Sequence, residues 1–139
     1  MRVVFDTNIY IASIFKGGFS ESLINNLVTK KLITLLCSED ILQEMQNKLQ
    51  KKFRWKETDA GDFVVYIRQI SEMVKVQEAI TVVTRDPDDN KILACAISGK
   101  ADLIVSADQD LIAIKEFRGI AIIHPKTLAY TFPEYFKKN

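Results

Sequence analysis

Apolar residues along the chain fall into two patterns, short unbroken runs and stripes at helical spacing, and the two alternate. The first run, residues 2–5, is β-branched and aromatic and predicts a buried strand. Asp6-Thr7-Asn8 ends it with three residue types that cap helices, and residues 9–15 predict a short helix stopped by Gly17-Gly18. Ser20-Glu21-Ser22 opens an amphipathic helix through Leu23, Ile24, Leu27 and Val28. Lys30 and Lys31 sit in its last turn, where cations suit the helix dipole. Residues 32–37 predict a second buried strand. Ser38 caps a third helix, with Glu39 and Asp40 in its first turn and Ile41, Met45 and Leu49 four apart on one stripe. Glu44 lies beside that stripe, where it reaches either the strand edge or water.

Residues 51–59 are polar and basic, with Phe53 and Trp55 among the charges. A fourth helix is predicted over 59–74, carrying Phe63, Ile67, Ile70 and Val74, and a strand over 79–83. Residues 90–98 predict a helix, with Gly99 as its C-terminal stop. A strand at 103–105 follows, then a turn at 106–110 and a last strand at 121–123. His124-Pro125 begins a terminal helix, with proline in a favoured first-turn position. Short strands, apolar on both faces and alternating with helices, predict an α/β fold: three layers, α/β/α, around a central parallel sheet of four to five strands, as one domain over residues 1–139. Sites in such folds form beyond the carboxyl ends of the strands.

Composition adds mainly exclusions. The content is 47% hydrophobic and 27% charged, ordinary for a globular protein. No apolar run approaches the roughly 20 residues of a membrane span, and the opening MRVVFDTN reaches an acid too early for a secretory signal. Cys37 and Cys95 lie far apart inside apolar stretches and read as buried free thiols, which suits a reducing cytoplasm. With one histidine, they form no zinc pattern. The net charge of +1 gives no general attraction to nucleic acid, so affinity for phosphate must come from a local patch or from metal.

The candidate chemistry is acidic. Residues 84–111 hold five aspartates, Asp86, Asp88, Asp89, Asp108 and Asp110, all at junctions between predicted elements. Asp6 follows the first strand in the same way. Any one of them alone is commonly a cap or turn former, but the same residue type after three strands, with Glu44 within reach, points to a cluster. Carboxylates gathered at one sheet edge repel one another, and hard divalent cations remove that repulsion. Oxygen-only ligands select Mg²⁺ or Mn²⁺ over zinc, and a pair of such ions about 4 Å apart can activate water against a phosphodiester.

Four segments carry a family resemblance: Val3-Val4-Phe5-Asp6-Thr7-Asn8; Ser38 through Glu44 and Leu49; Asp86-Pro87-Asp88-Asp89-Asn90-Lys91; and the run from Ala101-Asp102 through Val105-Ser106-Ala107-Asp108-Gln109-Asp110-Leu111. In this order, and over nearly the whole chain, they resemble PIN domains, most of all the prokaryotic VapC-like toxins of toxin–antitoxin pairs. The resemblance implies a metal-dependent ribonuclease using Mg²⁺ or Mn²⁺, an RNA substrate, a cognate antitoxin and a homodimer. Carried over by position, Asp6 bridges the metals, and Glu44, Asp89 and Asp108 are the second, third and fourth acids. Asp110 is an outer or fifth acid. Asn8 and Ser106 orient ligands or a phosphate oxygen, with Thr7 the weaker candidate. Helical register favours Asp89 over Asp86 and Asp88, which read as turn and cap residues.

Lys48, Lys51, Lys52, Arg54 and Lys56 around Phe53 and Trp55 form a candidate RNA-binding strip; in particular Lys51, Lys52 and Arg54 suit phosphates and Trp55 a base. The competing reading is a solvated loop whose aromatics cover the core. His124 reads as structural. Phe15, Phe19 and Leu23, beside the glycine pair, mark a candidate antitoxin groove or plain core packing. Two further functions stay open at this level: a phosphoryl-transfer domain of receiver or haloacid-dehalogenase type, and a PIN scaffold that binds without cleaving.

Overall fold

The computed structural model describes residues 1–15, 17–81 and 86–136. In chain order the elements are β1 (Arg2–Phe5), α1 (Thr7–Phe15), α2 (Gly18–Leu23) running into a π-helical turn (Ile24–Val28), β2 (Thr34–Cys37), α3 (Glu39–Lys51), α4 (Glu57–Ile70) and β3 (Glu72–Met73). Then come α5 (Pro87–Ser98), β4 (Leu103–Val105), α6 (Gln109–Ile114), β5 (Glu116–Phe117), β6 (Ile120–Ile123), α7 (Pro125–Thr131) and a 3₁₀ turn (Pro133–Tyr135). The strands form one sheet in the order β3-β2-β1-β4-β6-β5, parallel except for β5, which runs antiparallel to β6. Val3, Val4 and Phe5 are each 0% exposed. A strand buried on both faces is what a three-layer α/β/α arrangement requires.

The chain builds this sheet outward in both directions from β1: β2 and β3 are laid down on one side, β4, β6 and β5 on the other. The reversal of direction falls between β1 and β4, where open α/β sheets leave a crevice at the carboxyl ends of their strands. Register aligns Phe5 with Val105 there. The next residue on each strand, Asp6 and Ser106, is therefore carried to the same edge side by side.

Side-chain caps set four helix starts. Ser38 Oγ accepts from the Ile41 N–H (3.3 Å), Asp86 Oδ1 from Asp88 (2.9 Å), Asp108 Oδ1 from Asp110 (2.7 Å) and His124 Nδ1 from Lys126 (3.1 Å). Each satisfies an N–H that the first turn leaves without an intrahelical partner. Asp86 and His124 thus take the structural roles read from sequence. Cys37 and Cys95 are buried and free, and burial pushes both thiols up to about 12.

The structure departs from the sequence reading in several places. The strand expected at 79–83 is not one over residues 79–81, and 82–83 lie outside the described residues. The helix expected to reach 74 ends at Ile70, because Ser71 Oγ folds back onto the Ile67 carbonyl and the chain then pairs with Leu36 and Cys37 as β3. The second helix starts at Gly18, two residues early, and takes a π turn. The expected turn at 106–110 already contains the start of α6. Residues 79–81 are irregular and β3 takes a place in the sheet instead, so among the described residues five strands run parallel, within the expected four to five, and the short antiparallel β5 adds a sixth.

Gly99 differs in reason rather than position. It ends α5 with φ −85° and ψ −3°, a conformation open to any residue. A Cβ there would lie 2.8 Å from Val74 Cγ2 and 3.0 Å from both Leu36 Cδ1 and the Cys95 carbonyl oxygen. Space demands the glycine, and Lys100 takes the left-handed conformation instead (φ 53°).

Candidate active site at the strand switch

Asp6 is delivered by β1 and is 7% exposed. Its N–H continues the ladder to the Val105 carbonyl (2.9 Å), which fixes its backbone against β4. Ser106, 0% exposed, uses its hydroxyl twice. It donates to Asp6 Oδ2 at 2.8 Å and accepts from the Asp108 N–H at 2.9 Å. One buried oxygen therefore ties Asp6 to the loop carrying Asp108. Burial pushes the Asp6 carboxyl above its usual range. The Ser106 bond, the Asn8 backbone N–H and the Lys48 charge pull it back down, and Asp108 adds to the rise.

Two helices bring further acids. Glu44, midway along α3, is 6% exposed, and Asp89, in the first turn of α5, is 4% exposed. The two helices pack on each other, and α5 packs on β1, β2 and β4. Placing carboxylates on the buried side of a helix is costly unless they are paired. Lys48, one turn after Glu44, supplies the pairing with its Nζ 3.0 Å from Glu44 Oε1. Even so, Glu44 Oε2 is buried without a hydrogen-bond partner. Burial raises the Glu44 carboxyl, opposed by the bond and charge of Lys48. Lys48 itself is lowered by burial but raised overall by Glu44, Asp6 and Asp88. Half-buried, it is the counter-ion of Glu44, and its charge also reaches Asp6 and Asp88.

The remaining candidates divide by exposure. Asp108 is half-buried and committed through Oδ1 to capping α6; Asp110 is exposed on the first turn of that helix. Asp88 is half-buried and paired with Lys91 at 3.2 Å. Asn8 is exposed, while Thr7 is 0% exposed with its hydroxyl lacking a hydrogen bond, so the order of those two in burial reverses their order of candidacy.

The basic strip splits in two. Lys51 and Lys52 share a cleft with Glu44 and Lys48, whereas Arg54 and Trp55 line a separate one with Lys56, Asp59 and Asp62. Trp55 stands edge-on to Phe15 (5.8 Å), which stacks on Phe53 (4.4 Å), so this aromatic group covers the core. Phe15 and Phe19 are exposed, and Leu23 is fully buried. Sequence reading had Lys48 within the strip but missed its place among the acids. The signal was present as a Glu–Lys pair four apart, the spacing of neighbours on one helix face.

As metal ligands the acids present only oxygen donors, and the unsatisfied Glu44 Oε2 and the desolvated Asp6 both favour uptake of a hard cation. The donor chemistry fits Mg²⁺ or Mn²⁺. Among the described residues, however, no three acid, histidine or cysteine side chains stand close enough together to hold one ion. In this arrangement Lys48 provides positive charge among the acids. Among the described residues, no helix is long and apolar enough to cross a membrane.

A family model described as PIN domain matches residues 2–110. The uncharacterized protein MJ1680 of Methanocaldococcus jannaschii is 27% identical over 120 residues, spanning 84% of this chain and 76% of that protein. Among solved structures, VapBC2 from Rickettsia felis, bound to a DNA fragment from their promoter, superposes with a TM-score of 0.64 at 19% identity. The match covers 89% of this chain and 98% of that one. PAE2754 from Pyrobaculum aerophilum superposes with a TM-score of 0.58 at 16% identity, over 96% of this chain and 89% of that one.

Proposed function

Because the chain belongs to the PIN domain family, we propose that it is a metal-dependent endoribonuclease and the toxin of a toxin–antitoxin pair. The observation that carries this reading is the Asp6–Ser106–Asp108 arrangement at the strand switch, in which Asp6 and Ser106 are buried, as are Glu44 and Asp89 on the helices α3 and α5. Asp6, Glu44, Asp89 and Asp108 would hold Mg²⁺ or Mn²⁺, with Asp110 at the rim. The bound ion supplies Lewis acidity and an activated water for an RNA phosphodiester. Ser106 fixes the orientation of Asp6, and Thr7 and Asn8 support the same edge. Poor solvation of Asp6 and Glu44 makes their charges available to a cation, provided that Lys48 releases Glu44. The fold shared with VapBC2 supports a cognate antitoxin as partner, and a homodimer and a cytoplasmic location belong to the same reading.

One observation favours a second reading, a PIN scaffold that binds without cleaving: Lys48 already pairs with Glu44, and its charge also acts on Asp6, two of the acids that a metal would need. Two measurements on the purified chain separate the readings. In the first, a mixed RNA pool is incubated with Mn²⁺ or with EDTA; cleavage is expected only with metal, and Asp6→Ala and Asp89→Ala are each expected to be nearly inactive. In the second, calorimetric titration of Mn²⁺ should show binding to the unaltered chain that Asp6→Ala abolishes. Equal cleavage by Asp6→Ala sinks the metal model, and neither cleavage nor metal uptake leaves the binding scaffold.

A further inference from the structure

Beside the acids, between α3 and α5, lies a cleft of about 250 Å³ lined by Lys48, Lys51, Lys52 and Lys91 together with Glu44 and Asp88. Four of the chain's 19 lysines and arginines meet there, in a protein whose net charge is only +1. Two are committed: Lys48 to Glu44 at 3.0 Å and Lys91 to Asp88 at 3.2 Å. Lys51 and Lys52 are exposed and, among the described residues, in no ion pair. The cleft thus keeps unneutralised positive charge next to a carboxylate, Glu44, of the candidate active site. Its volume is below the roughly 300 Å³ at which small-molecule pockets begin, and its lining is charged rather than apolar. Such a lining suits an anionic group on a strand lying across it. A second basic cleft differs, because its lining of Arg54, Trp55, Lys56, Asp59 and Asp62 carries equal numbers of basic and acidic side chains.

We propose that this cleft seats the backbone phosphate next to the scissile one on a single-stranded RNA, with Lys51 and Lys52 as its contacts. Lys48 and Lys91 keep the adjoining acids from repelling it. The inference rests on the nuclease reading for which phosphate is cleaved, whereas binding of RNA to these lysines is measurable without it.

The test is equilibrium binding of a fluorescein-labelled single-stranded RNA of mixed sequence to the full chain in EDTA, followed by anisotropy across a KCl series. Each phosphate contact contributes about 0.7 to the slope of log affinity against log salt for single strands. Lys51→Gln with Lys52→Gln should weaken binding and flatten that slope by about 1.4. Glutamine keeps the helix propensity of lysine, and an unchanged circular dichroism spectrum verifies folding. The matched change Lys30→Gln with Lys31→Gln, before β2 at the opposite sheet edge, should leave the slope intact. An unaltered slope in the first pair, an equal loss in the second, or no RNA binding by the unaltered chain overturns the proposal. Lysine-dependent binding without any cleavage in Mn²⁺ would instead refute the nuclease reading and leave the phosphate seat standing. If cleavage occurs, the first pair should raise KM and spare kcat.

Discussion

Ser106→Ala tests the centre of the site most directly, because one buried hydroxyl serves two partners. The substitution removes a hydrogen bond to a carboxylate, which contributes about 1.5–3 kcal/mol. It also leaves the Asp108 N–H without its acceptor. Asp108 is half-buried, so water reaches part of that group and the added cost is about 1 kcal/mol, the low end for an unsatisfied donor. The expected destabilisation is about 3 kcal/mol, or roughly 10 °C in Tm for a domain of this size. Urea unfolding followed by Trp55 fluorescence reads it at pH 7. The Ser106 bond lowers the Asp6 pKa, so it favours the ionised carboxylate. Its contribution is therefore present at high pH and shrinks as pH falls through the folded-state pKa of Asp6. A double-mutant cycle with Asp6→Asn isolates the pair, with an expected coupling of about 1.5 kcal/mol. A loss below about 0.5 kcal/mol, the range of ordinary surface substitutions, would refute the hydroxyl's double role.

Two further outcomes follow from the same packing. Asp6 is held above its ordinary pKa chiefly by burial, so the folded chain binds its proton more tightly than the unfolded one, and this group's stabilising effect is lost as pH rises from the unfolded to the folded pKa. Asp6→Asn should accordingly raise the urea midpoint at pH 7 in EDTA while abolishing metal uptake; identical pH profiles for the two proteins between pH 4 and 7 would contradict the burial argument. Gly99→Ala meets Val74, Leu36 and the Cys95 carbonyl at 3.0 Å or less, which predicts an overpacking cost of about 1–3 kcal/mol instead of the usual gain from alanine. A neutral or stabilised Gly99→Ala in urea would show that Val74 and Leu36 yield without cost.

Local chemistry determined much of this protein from sequence alone. The runs Val3-Val4-Phe5 and Leu103-Ile104-Val105 could only be satisfied by burial on both faces, which dictates a helix-covered parallel sheet. Ser38 and Asp86 were legible as caps because capping is settled within three residues, whereas His124, read only as structural, proved to cap α7. Asp6, Glu44 and Asp89 were legible as candidates through position and resemblance, and the fold buries all three. Properties that depend on residues distant in the chain were decided by tertiary structure. β3 and β5 are two residues each, too short for any periodicity, and exist because β2 and β6 offer them an open edge. Gly99 is explained by Val74 and Leu36 rather than by its own backbone. The basic strip divides because Lys48 and Lys51 of α3, with Lys52 at its end, line a cleft with residues of α5, while Arg54 and Trp55 follow and line another. Lys48 took its meaning last. A lysine four residues after a glutamate is an ordinary surface pair until packing buries the glutamate, and only then does its ammonium become the counter-charge of the site.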